Sequence, residues 1–116
     1  CSGLVQASFA SQSIWLPRDA YQQEKFCSPI RITLTNYENL KRGDLLFFGD
    51  QVQCDHVAIY HGSGCYWHSS GILHGRDGIG LDCLFASNDN KVSTYYRSRL
   101  RSAGRVIRCH DGNTLN

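Results

Sequence analysis

The stretch "HVAIYHGSGCYWHSS", residues 56–70, constrains the fold more than any other part of the chain. Two β-rich runs, His56 to Tyr60 and Gly64 to Ser69, flank a glycine-containing loop, which is the pattern of an antiparallel hairpin. Pairing Tyr60 with Gly64 sets His56 directly opposite His68. Side chains alternate along a strand. His56, Ala58, Tyr60, Tyr66 and His68 therefore share one face, and Val57, Ile59, Cys65 and Trp67 share the other. Two imidazoles sit side by side on one side of a sheet.

The segments around the hairpin supply the remaining elements. In "CSGLVQASF" the apolar residues Leu4, Val5 and Phe9 recur at helical offsets from Cys1, with Ser2 and Gly3 as easy helix-start residues. A thiol thus stands at the positive end of a helix. "LPRDAYQQ" reads as a short helix or turn opened by Pro17, and the stretch from Lys25 to Asn36 reads as irregular. Gly43 and Asp44 form a turn before Leu45 to Phe48, an apolar run suited to a strand buried on both faces. Beyond the hairpin, "GRDGIGLD" reads as a glycine-rich loop, "VSTYYRSRL" as a short helix and "GRVIRC" as a last strand. With 116 residues, 41% of them hydrophobic, the chain can bury one core. The order of elements argues for an α+β domain with a mainly antiparallel sheet.

Charge and composition remove several classes of function. The net charge is +2, and the only basic concentration, "RSRLRSAGRVIR", has little aromatic interleaving, which argues against a nucleic-acid surface. No apolar run approaches the roughly 18 residues of a membrane-spanning helix. Six cysteines, at 1, 27, 54, 65, 83 and 109, would allow a disulfide framework. Their irregular spacing and the absence of a CxxC pair favour free thiols instead. Cys54, His56, Cys65 and His68 could ligate zinc, but Cys65 and His68 stand three apart on one strand and point to opposite faces, which spoils a tetrahedral set. His61 and His74 read as exposed loop residues. The reading calls for no metal and no cofactor.

The remaining chemistry is nucleophilic. A helix N-terminus and a neighbouring imidazolium both favour the thiolate, the reactive form of cysteine. Cys1 supplies the nucleophile, His56 the base, and His68 a partner that orients the base. Two other chain types begin with cysteine. An N-terminal-nucleophile hydrolase would open on a strand, and a lipoprotein on a flexible linker, whereas this chain opens with helical spacing.

"CSGLVQ", "LPRDAYQQ", "LKRGDLLFF", "HVAIY" and the histidine of "YWHSSG", in that order, resemble the NlpC-type papain-like cysteine peptidases of bacterial cell walls. The resemblance implies a reduced papain-like α+β domain, with the nucleophile's helix packed on an antiparallel sheet. Cys1 matches the family's nucleophile, His56 its base and His68 its orienting residue. The implied activity is hydrolysis of the bond between γ-linked D-glutamate and a diamino acid in peptidoglycan stem peptides. "LPRDAYQQ" resembles the branch that requires a free N-terminal L-alanine, as in L-Ala-γ-D-Glu-diamino acid. There Asp19 would pair with the ammonium group, and Arg18 and Ser2 would line the pocket. The family also implies an upstream aspartate and tyrosine, and this branch a small β-barrel domain of the bacterial Src-homology-three type. None of these is in the sequence, so the expectation is a catalytic domain at 1–109 without its N-terminal part, then a polar tail at 110–116. The resemblance places the protein in bacteria, in the cytoplasm or in the periplasm and cell envelope. A catalytically silent wall-binding module of the same fold is the alternative.

Overall fold

The computed structural model describes residues 1–32, 37–71, 75, 77–84 and 91–108. The tail and His74 lie outside them. Helix α1 spans Ser2–Ala10 with Cys1 as its N-cap, and the Val5 N–H donates to the Cys1 carbonyl in its first turn. Helix α2, Ala20–Phe26, starts three residues after the predicted proline opening. Asp19 is its N-cap and forms a capping box with Gln22, whose Oε1 accepts the Asp19 N–H at 3.3 Å. Strand β1, Ser28–Ile30, falls in the stretch expected to be irregular. Strands β2, Leu45–Gly49, β3, Cys54–Gly62, and β4, Cys65–Ser70, follow the predicted runs. The segment read as a glycine-rich loop is strand β5, Gly78–Cys83. Helix α3 is Lys91–Arg97, and the last strand, β6, spans Leu100–Arg105, several residues before the expected "GRVIRC".

The six strands form one antiparallel sheet in the order β1-β6-β2-β3-β4-β5. Alternation along β2 and β3 sends its side chains into two cores. Leu45, Phe47 and Val57 pack with Val5 of α1 and with Ala20 and Phe26 of α2. Leu46, Phe48, Ala58, Tyr60 and Tyr66 pack on the other side with Tyr96 of α3. β2 lies between β3 and β6, and its Leu45 to Phe48 are all fully buried, as a central strand covered on both faces requires. The domain is α+β and papain-like. Asp44, buried before β2, accepts a two-pronged hydrogen bond from Arg105, with both N···O distances 2.8 Å, which ties β6 to that turn.

The hairpin register differs from the expected one by a step that preserves the faces. Ser63 and Gly64, both with positive φ (55° and 80°), form the two-residue turn, so Gly62 pairs with Cys65. An irregularity between Tyr60 and Gly62 then brings Tyr60 opposite Tyr66 and Ile59 opposite Trp67. His68 lies diagonal to His56 instead of directly across from it. The sequence reading placed the turn one residue too early, because Ser63 adopts a left-handed conformation that its type gave no reason to expect.

Candidate active site

β3 and β4 bring the two histidines together. His56 is 7% exposed and His68 fully buried. His56 Nε2 lies 2.8 Å from His68 Nδ1, with the rings nearly perpendicular. Tyr96 stacks on the His56 imidazole with ring centres 4.4 Å apart, and Phe48 packs against it at 5.4 Å. Burial pushes the His56 pKa down from 6.5 to about 3, and the His68 ring beside it and then Arg99 act the same way by disfavouring a positive charge on His56. His56 is therefore a neutral imidazole near neutral pH.

Cys1 approaches from the other core. It packs partly buried against the cluster that holds Val5 and Val57, and its Sγ lies 3.9 Å from the backbone oxygen of Asp55, the residue before His56. Asp55 also pairs with Arg99 at 2.7 Å. The thiol stands at the start of β3, where the helix face of the sheet meets the histidine face. Gln23 of α2 fixes the adjacent turn: its Nε2 donates to the Ser2 carbonyl at 3.2 Å and to the Pro17 carbonyl at 2.9 Å.

Of the pocket residues suggested by resemblance, Ser2 and Arg18 come together, with Arg18 Nη1 donating to Ser2 Oγ at 2.9 Å. Asp19 is exposed and serves as the α2 N-cap. His61 lies on β3, half-buried, and its Nδ1 accepts the Trp67 indole N–H at 3.3 Å.

The cysteines divide differently from the expectation of free thiols. Cys65 and Cys83, directly opposite on β4 and β5, form a disulfide, which removes Cys65 from any zinc set. Their pairing depends on the 78–83 segment being a strand, which its glycines concealed. Cys1, Cys27 and Cys54 are free. Burial raises the Cys27 thiol to about 12 and the Cys54 thiol to about 11.

Two residues of the site had no sequence signal. Asp82, fully buried on β5, approaches His68 Nε2 with Oδ2 at 2.6 Å. Ser93 of α3, also fully buried, donates to Asp82 Oδ1 at 3.0 Å and accepts the Cys83 N–H at 3.2 Å.

Comparison with known proteins agrees with this architecture. The chain is 37% identical over 109 residues to the bifunctional muramidase/DL-endopeptidase CwlT of Bacillus subtilis strain 168, covering 91% of this chain and 28% of that protein. It is 35% identical over 111 residues to the murein DD-endopeptidase MepS/murein LD-carboxypeptidase of Escherichia coli K12, covering 92% and 49%. It thus spans about half the length of one curated relative and less of the other. A crystal structure of an NlpC/P60 family protein from Bacillus cereus superposes with a TM-score of 0.69 at 26% identity, covering 92% of this chain and 31% of that one. The NlpC/P60 family model matches residues 1–103. The chain belongs to the NlpC/P60 family.

Proposed function

We propose that this domain is a cysteine endopeptidase of peptidoglycan stem peptides, with Cys1 as nucleophile, His56 as base and His68 as orienting residue. The observation that carries the reading is the 2.8 Å contact between the two buried histidines, which engages His56 through Nε2 and leaves its Nδ1 outside that contact. A neutral imidazole accepts the thiol proton as Cys1 Sγ attacks the γ-D-glutamyl carbonyl. The Cys1 N–H at the start of α1 donates to the oxyanion, an interaction whose loss typically costs about 3 kcal/mol. His56 then protonates the leaving amine, and water hydrolyses the thioester with His56 as base. Among the described residues no three His, Cys, Asp or Glu side chains are grouped to hold a metal ion.

The bond we assign joins D-glutamate to an L-configured diamino acid centre, which fits the DL-endopeptidase named in the Bacillus relative. The substrate is a stem peptide with a free N-terminal L-alanine, whose ammonium group pairs with Asp19 beside Arg18 and Ser2. Support comes from the exposure of Asp19 and from the contact of Arg18 with Ser2, the residue that follows Cys1. An acylated alanine has no charge for the carboxylate. The test is hydrolysis of L-Ala-γ-D-Glu-diamino acid against its N-acetylated form. Cleavage of the free peptide at least tenfold faster is expected, with no turnover by Cys1→Ala. Equal rates would make the domain a general wall endopeptidase, and normal turnover by Cys1→Ala would end the cysteine mechanism.

A further inference from the structure

We propose that Asp82, braced by Ser93, is a positioning residue that sets the tautomers of both histidines and thereby leaves His56 Nδ1 as the lone-pair nitrogen, the one the peptidase reading assigns to Cys1. The inference deepens the peptidase reading and rests on it for its kinetic consequence. Its basis is a directional chain of hydrogen bonds that starts at the backbone. The Cys83 N–H donates to Ser93 Oγ at 3.2 Å, so the serine hydroxyl keeps its own hydrogen for Asp82 Oδ1, 3.0 Å away. The other carboxylate oxygen faces His68 Nε2 at 2.6 Å. With both oxygens accepting, the proton between Asp82 and His68 resides on Nε2.

With His68 taken as a neutral imidazole, which carries one N–H, its Nδ1 is then a bare acceptor. Its partner at 2.8 Å, His56 Nε2, has to be the donor. That assigns the single hydrogen of His56 to Nε2 and leaves Nδ1 without one. Reversing the start of the chain reverses its end: a donor at position 82 would move the His68 hydrogen to Nδ1 and the His56 hydrogen to its own Nδ1. The base would then present an N–H to the thiol. His56 cannot readily turn its ring over to compensate, because Tyr96 stacks on one face and Phe48 packs against it. Asp82 and His68 are both fully buried, so bulk water cannot supply a substitute acceptor.

The experiment pairs nitrogen-15 NMR of histidine-labelled protein with kinetics on the tripeptide. In the parent, both histidines should show the Nε2–H tautomer near neutral pH. Asp82→Asn, close in shape but able to donate, should show Nδ1–H at both, with a kcat about 100- to 10,000-fold lower and KM little changed. Ser93→Ala should keep the parent tautomers and lose about tenfold or less in kcat. A folded Asp82→Asn with parental tautomers, or with kcat within about threefold of the parent, overturns the proposal. So does a parent carrying Nδ1–H on His56, a result that needs no variant to fold. If the tautomers switch as expected but the parent cleaves no stem peptide, the positioning stands and the peptidase reading fails.

Discussion

His56 carries a chemical demand that conflicts with its surroundings. A base has to take up a proton, yet burial and neighbouring positive charge hold this imidazole near pKa 3. The proton it accepts from Cys1 is therefore stable only against the thiolate it leaves behind, which couples proton transfer to attack. The same shift affects stability. The unfolded chain binds a proton at His56 near pH 6.5 and the folded chain only near 3, so the contribution is complete above about pH 6.5 and is lost as pH falls toward 3. Urea unfolding at pH 7 and pH 4 should show a loss of roughly 3 kcal/mol from this group. His56→Gln should lose correspondingly less over the same interval. At the residue scale local spacing and flanking motifs nominated Cys1, His56 and His68, and the structure brings the two histidines together. The sequence was silent on Asp82 and Ser93, since one buried carboxylate and one buried serine look like any surface pair until their strand and helix are placed.

Elements explain that silence. Asp82 lies on β5, and its run Gly78-Ile79-Gly80-Leu81 alternates glycine with exposed apolar side chains, so it lacks the apolar face by which a strand is recognised. It is a strand because β4 pairs with it over its whole length. β6 was placed too late for a related reason: its Ser102, Ala103 and Gly104 have little intrinsic β preference, and pairing with both β1 and β2 holds them. Gly104 belongs to that crowding. A Cβ there would lie 2.5 Å from Cys27 Cβ and 3.4 Å from Phe47 Cε2, neither the tip of a flexible chain. Gly104→Ala should destabilise the domain by about 1–3 kcal/mol, read as a lower thermal midpoint with the fold retained. A substitution that improves strand propensity on paper thus weakens this strand.

Across the whole molecule, the Cys65–Cys83 disulfide fastens β5, which pairs only with β4 among the described strands, and closes a separation of 18 residues. Replacing both cysteines by alanine should cost about 3 kcal/mol. The parent's thermal midpoint should fall by a similar increment in strong reductant, to which the double variant is indifferent. A midpoint unchanged by both treatments would mean that sheet pairing alone holds the edge.

The two cores set a condition on when the domain can act. Val5 and Val57 carry Cys1 to the start of β3 from one side, while Phe48, Tyr66 and Tyr96 enclose the histidines on the other. A chain that has packed only the first core holds a thiol without its base, and one that has packed only the second holds a base without its thiol. The lytic activity proposed here is therefore absent from every half-assembled chain, so folding itself acts as its safety catch.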